Sequence, residues 1–139
     1  MKLKAYNKEN LMVASKGLKP SIRFTAKGGK ILLSAGAVRE LKLKPGVHRV
    51  VLLQDEDKPE NWYLKITDKS DANAFDLSES NGAKRSIVKS VYFNNTDLSV
   101  KVMKSLGKLS ESSVSVKLGI EPEELEGMTL YPIVTKVIL

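Results

Sequence analysis

The chain has 139 residues and a formal net charge of +7, with no cysteine and a single histidine, His48. Disulfides, thiolate nucleophiles, iron–sulfur clusters and multi-histidine metal sites are therefore excluded, and we expect no cofactor and no enzymatic activity. An apolar fraction of 42% is ordinary for a globular domain, which argues against disorder of the whole chain.

Most of the positive charge lies in the first fifty residues. They hold twelve Lys or Arg against Glu9 and Glu40, whereas residues 51–139 hold eleven basic and fourteen acidic residues. This polarity favours an anionic partner, most often nucleic acid, although a lysine-rich soluble surface has the same composition. No apolar stretch matches a secretory signal or a membrane span, so we expect a cytoplasmic protein of a bacterial or phage-infected cell, with no membrane partner.

Residues 1–20 form an irregular basic arm in this interpretation. Alternating and β-branched runs then predict strands, which in chain order cover 21–25, 31–33, 47–54, 62–67, 86–93, 113–118 and 128–137. Pro132 indicates that the last strand is an edge or carries a bulge. Residues 68–85 are polar and are predicted to be a linker with a short strand near 74–77.

Two short helices are predicted between these strands. The first covers residues 35–42, with Ser34 as its N-cap and Lys44-Pro45-Gly46 as its stop. The second covers residues 98–106, with Thr96 or Asp97 as its N-cap and Gly107 at its end. The acidic stretch 121–124 is predicted to be a loop or a single turn.

The order strand–helix–strand–strand occurs twice, at 21–67 and 86–137, and Ser21–Phe24 aligns with Ser90–Phe93. Each half is too small to hold a core alone, but two halves that interleave their strands would close a small barrel. We therefore expect a β-rich α+β fold, a small barrel or sandwich of two related halves, as a single domain over 21–139.

The stretch from Gly29 to Val47 (GKILLSAGAVRELKLKPGV) resembles the signature of AbrB-like, swapped-hairpin transcription factors and, more broadly, of cradle-loop barrels. The family usually has Pro where Ser34 stands and Asp where Val47 stands. The resemblance implies DNA binding by basic residues on the strand and loop before the helix, and a dimer. In this chain the second half could replace the partner subunit, giving a monomeric pseudo-dimer, with a homodimer as the alternative.

Several residue groups are candidates for chemistry. Lys27-Gly28-Gly29-Lys30 could cradle a phosphate or simply be a hairpin turn. Cations at the end of the first helix could contact phosphate or complement the helix dipole. Of the adjacent Trp62 and Tyr63, one should lie in the core and the other could stack on a base, or both could be partly buried in packing, which the sequence favours. The acidic runs 55–57 and 121–124 fit solvated loops better than cation sites.

The sequence thus predicts a non-enzymatic nucleic-acid-binding protein, with DNA as the ligand and transcriptional regulation as a role. The predicted binding residues are Arg23, Lys27, Lys30, Arg39, Lys42 and Lys44. The alternative is a structural or assembly module, a phage or accessory protein, that binds a protein partner through its N-terminal arm.

Overall fold

The computed structural model describes residues 19–80 and 88–139. The described strands are β1 (Ser21–Thr25), β2 (Lys30–Leu33), β3 (His48–Gln54), β4 (Trp62–Asp68), β5 (Phe75–Asp76), β6 (Ser78–Glu79), β7 (Val91–Asn94), β8 (Ser113–Leu118), β9 (Glu123–Leu125) and β10 (Met128–Ile138). The described helices are α1 (Ala35–Leu41) and α2 (Thr96–Ser105). The expectation of a strand-rich fold with two short helices is confirmed in these residues.

The strands form one antiparallel, barrel-shaped sheet in the order β5–β3–β4–β10–β8–β1–β2–β7–β6, with β9 attached to β10. The two ends of this order belong to one short stretch of chain. Phe75–Asp76 pairs with β3, and Ser78–Glu79 pairs with β7. Since only Leu77 separates β5 from β6, residues 75–79 join the two edges and nearly close the barrel.

The strand pairing is symmetric about an exchange of the two halves of the chain. The stretch 75–79 takes the place of β1, and β7, α2, β8 and β10 take the places of β2, α1, β3 and β4. Under this exchange β2 pairs with its counterpart β7, and β4 pairs with its counterpart β10. The sequence alignment instead placed β1 opposite residues 90–93, and residues 75–79 fell in the expected linker.

The core fills the interior of this sheet. Alternate residues of each strand point inward, as Ile22 and Phe24 do on β1 and Val114 and Val116 do on β8. The two helices add Ala37, Val38, Val102 and Met103 to the same core. Trp62 is buried as well, and its indole N–H donates to the Ser105 hydroxyl at 2.8 Å.

Aromatic and charged contacts support the closing stretch. Phe75 on β5 stacks on Phe93 of β7, with 4.5 Å between ring centroids. On the outer face, Arg49 of β3 donates from Nε to Asp76 at 2.8 Å and from Nη1 to the Asp71 carbonyl at 3.0 Å. The aromatic stack thus joins β5 to β7 on the inner face, and the Arg49–Asp76 contact holds β5 against β3 on the outer face.

The predicted start of α1 is confirmed, and that of α2 is corrected. The Ser34 hydroxyl accepts from the Ala37 N–H, as an N-cap does. Asn95, not Thr96 or Asp97, caps α2, because its side chain accepts from the Leu98 N–H at 2.9 Å. Four consecutive residues able to cap a helix, Asn94 to Asp97, made that choice ambiguous in the sequence.

Two other predictions are corrected, and the two alternatives left open by Pro132 are decided. Residues 88–90 are not in a strand, so the strand expected at 86–93 begins at Val91; its first two residues lie outside the described part. The expected acidic loop contains β9, which forms a hairpin with β10. β10 is an interior strand, although the bulge expected from Pro132 occurs as a register shift beyond Val134.

Among residues 19–80 and 88–139, no helix has the length and apolarity needed to cross a membrane.

Closure of the barrel should depend on Leu77, whose side chain is only 5% exposed. We expect Leu77→Ala to lower the free energy of unfolding by about 2–4 kcal/mol, because it leaves a cavity at the junction of β5 and β6. Urea denaturation followed by circular dichroism measures this change. Leu109→Ala is the control, since Leu109 is 45% exposed and should change stability little. Equal effects of the two substitutions would contradict this role for Leu77.

Candidate nucleic-acid interface

Three of the six predicted binding residues meet at one end of the barrel. A groove of about 430 Å³ lies between the end of α1 and the segment around β6 and β7, and its lining residues are Val38, Arg39, Lys42, Leu43, Lys44, Pro45, Glu79, Val88 and Lys89. We call it the α1 groove. Four of its side chains are basic and one is acidic, so the groove presents a positive surface to an anion.

The turn that ends α1 places these cations. Lys42 adopts left-handed backbone angles, with φ 54° and ψ 45°. Its N–H points to the Arg39 carbonyl, and the Leu43 N–H donates to the Val38 carbonyl at 3.0 Å. This pattern is a Schellman motif, in which the left-handed position is usually glycine because a Cβ is unfavourable there.

The second helix ends in the same motif with the usual residue. The Gly107 N–H donates to the Lys104 carbonyl, and the Lys108 N–H donates to the Met103 carbonyl. Gly107 has φ 68°, so it occupies the position that Lys42 occupies after α1. The chain therefore uses glycine at one of the two equivalent turns and accepts the cost of a lysine at the other.

His48 has a structural role beside the groove. The imidazole Nδ1 accepts from the backbone N–H of Lys44 at 2.9 Å, and the backbone N–H of His48 donates to the Lys44 carbonyl. These two bonds fix the backbone of the turn from which the Lys44 side chain projects.

The ion pairs around the groove are weak. Lys89 Nζ lies 4.0 Å from a Glu79 carboxylate oxygen, and Arg39 Nε lies 3.8 Å from Glu40. All four side chains are at least 42% exposed, and such pairs contribute little to stability. The positive charge of Arg39 and Lys89 is therefore only partly neutralised and can attract an anionic ligand.

The other three predicted residues lie on the β1–β2 hairpin. Arg23 is exposed on the outer face of β1, Lys27 is exposed in the turn, and Lys30 begins β2. Lys30 Nζ lies 4.6 Å from the ring centroid of Tyr92, a cation–π contact. The structure thus separates the six residues into two groups, since Lys27 and Lys30 lie at one end of β2 and α1 follows the other end.

One glycine of the Lys27–Lys30 turn, Gly29, has a packing role. Gly29 is buried and has φ 66°, and a Cβ at this position would lie 2.3 Å from the Thr96 nitrogen. Its carbonyl also accepts from the Asn95 N–H at 2.9 Å. Close contact with the start of α2 therefore requires glycine here, and a phosphate cradle at this turn stays a prediction.

Sequence reasoning missed two contributors. Lys89 joins the α1 groove, and Tyr92 lies beneath Lys30. Both flank or belong to β7, whose place beside β2 and β6 follows from the barrel topology and not from a local motif.

A second groove, of about 640 Å³, has the opposite charge. It lies where the β3–β4 loop meets the β9–β10 hairpin, and its lining residues are Leu53, Gln54, Asp55, Glu56, Asp57, Tyr63, Leu125, Glu126, Met128 and Leu130. We call it the acidic groove. The loops that form it are counterparts under the exchange of halves described above, and they lie across the barrel from the β2–β7 pair.

The acidic groove affects the phenol of Tyr63. Burial raises the pKa of Tyr63 above its ordinary value of 10.0, and the carboxylates of Glu123 and Asp55 raise this pKa further. Of the adjacent aromatic residues Trp62 and Tyr63, Trp62 is the one that lies in the core. Within the described residues no group of three or more His, Cys, Asp or Glu could hold a metal ion.

Comparison of the chain with protein-family models, curated proteins and solved structures finds no match. The resemblance of residues 29–47 to AbrB-like proteins therefore stays a prediction.

We expect Lys42→Gly to raise the free energy of unfolding by about 1 kcal/mol, because it removes a Cβ from a left-handed position. Gly107→Lys should lower it by a similar amount for the converse reason. Urea denaturation measures both. Lys42→Ala is the matched control, since it removes the charge and keeps the Cβ. A Lys42→Gly protein no more stable than Lys42→Ala would contradict the strain at this turn.

We expect Glu123→Gln to lower the pKa of Tyr63 towards 10.0 without reaching it, because burial still disfavours the phenolate. NMR titration of the tyrosine ring carbons, assigned with Tyr63→Phe, measures this pKa. With the pKa raised, the proton contributes stability below the unfolded-state pKa, and this contribution is lost as pH rises through the folded-state value. The control, Glu111→Gln, should leave the titration unchanged; an unchanged titration in Glu123→Gln would refute the carboxylate effect.

Proposed function

We propose that this protein is a non-enzymatic nucleic-acid-binding protein that holds the phosphate backbone of DNA in the α1 groove. The observation that carries the proposal is the convergence of Arg39, Lys42, Lys44 and Lys89 on one groove. Clustered Lys and Arg side chains supply most of the affinity of proteins for the nucleic-acid backbone, because each phosphate they neutralise releases counterions.

The backbone of Lys42 supports a binding role for its side chain. A residue held in an unfavourable conformation is often retained because its side chain is needed. Gly107 occupies the equivalent turn after α2, so the fold itself does not require lysine there. A phosphate ligand would explain why a lysine stands at Lys42 despite its backbone cost.

The β1–β2 hairpin offers a secondary contact surface. Arg23 and Leu32 are directly opposite on β1 and β2, and Leu32 is opposite Tyr92 on β7. With Lys30 above the Tyr92 ring, this row combines two cations with an aromatic side chain, a combination that also suits single strands. The AbrB-like resemblance implies DNA binding at this hairpin. The convergence of cations in the α1 groove instead favours DNA binding at the opposite end of β2, where α1 follows.

The symmetric strand pairing supports a pseudo-dimer. In this proposal one chain provides both halves of a barrel that two subunits form in AbrB-like proteins, and a role as a transcriptional regulator would follow from the same resemblance. The exchange of β2 with β7 and of β4 with β10 is the pattern expected of such an arrangement.

Fluorescence anisotropy with labelled double- and single-stranded DNA tests the proposal. Binding through four phosphate contacts should fall by roughly a hundredfold between ~50 mM and ~200 mM salt. The triple variant Arg39→Glu, Lys42→Glu and Lys44→Glu should bind at least about tenfold more weakly. The slope of the logarithm of its binding constant against the logarithm of salt concentration should be shallower by about three, because three phosphate contacts are lost.

A matched variant separates site from net charge. Lys58→Glu, Lys69→Glu and Lys104→Glu make the same change in net charge at exposed lysines that do not line the groove. We expect this control to retain most of the affinity. Equal losses in the two triple variants, or no binding of the natural chain to either DNA at low salt, would overturn the proposal. Loss only on reversing Arg23, Lys27 and Lys30 would assign binding to the hairpin.

A further inference from the structure

We infer that the acidic groove is a docking site for a cationic segment of a partner protein, one that carries lysine or arginine beside apolar side chains. This inference is independent of the DNA proposal, since the two grooves share none of the residues that the structure describes.

The groove has an apolar lining. Leu125 is 38% exposed, and Leu53 and Met128 are half-buried beside it. In the register of β9 with β10, Leu125 is opposite Met128 and Glu123 is opposite Leu130. These residues therefore share the face of the hairpin that closes the groove, whereas Glu124 faces away and accepts from the Thr129 hydroxyl.

The charge at the rim selects the occupant. Asp55, Glu56, Asp57 and Glu126 all line the groove, and none of its lining residues within 19–80 and 88–139 is basic. In the part of the chain that the structure describes, none of these four carboxylates forms an ion pair. Asp55 Oδ1 accepts from the backbone N–H groups of Asp57 and Lys58, which fixes the loop and leaves the negative charge of the rim in place. A groove with leucine and methionine side chains and a negative rim is complementary to an apolar segment that carries positive charge.

Other occupants fit this groove less well. The carboxylates do not converge on one point, since no group of three or more acidic side chains in residues 19–80 and 88–139 could hold a metal ion. An anionic ligand would be repelled by the rim, and a purely apolar one would leave four charges against its surface. An extended peptide can place apolar side chains on Leu125 and Met128 and its cations at the rim, because neighbouring side chains point to opposite sides.

Anisotropy with three labelled peptides, which alternate lysine with leucine, lysine with serine, and glutamate with leucine, tests this inference on the full chain. We expect the lysine–leucine peptide to bind about tenfold more tightly than the lysine–serine peptide, and the glutamate–leucine peptide not to bind. The double variant Glu56→Gln and Glu126→Gln, and separately Leu125→Ser, should each weaken lysine–leucine binding by about tenfold. Methyl NMR should report a shift of Met128 on binding.

Two controls distinguish this site from general attraction of charge. Asp97→Asn with Glu111→Gln removes two exposed carboxylates that do not line the groove and should leave peptide affinity unchanged. The triple α1-groove variant should also bind the peptide normally, so failure of the DNA proposal would not affect this result. No binding of the lysine–leucine peptide, equal binding of the lysine–serine peptide, or unchanged affinity in the Glu56 and Glu126 double variant would overturn the inference.

Discussion

The fold depends on one five-residue stretch that pairs with two strands, β3 and β7, which are far from each other along the chain. Residues 75–79 hydrogen-bond to β3 on one side and to β7 on the other, while Leu77 points into the core. Without this stretch, β3 and β7 would both be exposed edges, and such edges invite pairing with other chains. The Arg49–Asp76 ion pair outside the sheet and the Phe75–Phe93 stack reinforce the closure.

The strand order also separates the charges of the molecule. It places β7 beside β2 and β6, so that Lys89 joins the cations at the end of α1. The acidic loops are carried by the β4 and β10 side of the strand order. In the described chain the two non-glycine residues with positive φ are Lys42 and Glu126, and each lines one of the two grooves. Backbone strain is thus located where side chains of one charge are gathered.

The sequence predicted those elements whose pattern lies within a few consecutive residues. Alternation predicted β1 and β8, and the serine before a helical run predicted the cap at Ser34. The acidic β9 was missed because glutamate is a poor strand former and only the neighbouring β10 holds it extended. Groove membership was half predictable: Arg39, Lys42 and Lys44 are neighbours along the chain, whereas Lys89 reaches them only through the barrel topology.

The strand order also sets the timing of folding during synthesis. β1 is held between β2 and β8, so one of its two partners is made about ninety residues after it. β4 likewise lacks its second partner until residues 131–133 have been made. A ribosome therefore releases nearly all of this domain before its barrel can close, and the first half must wait with unpaired strand edges. Unpaired strand edges of this kind are prone to aggregation until their partners have been made.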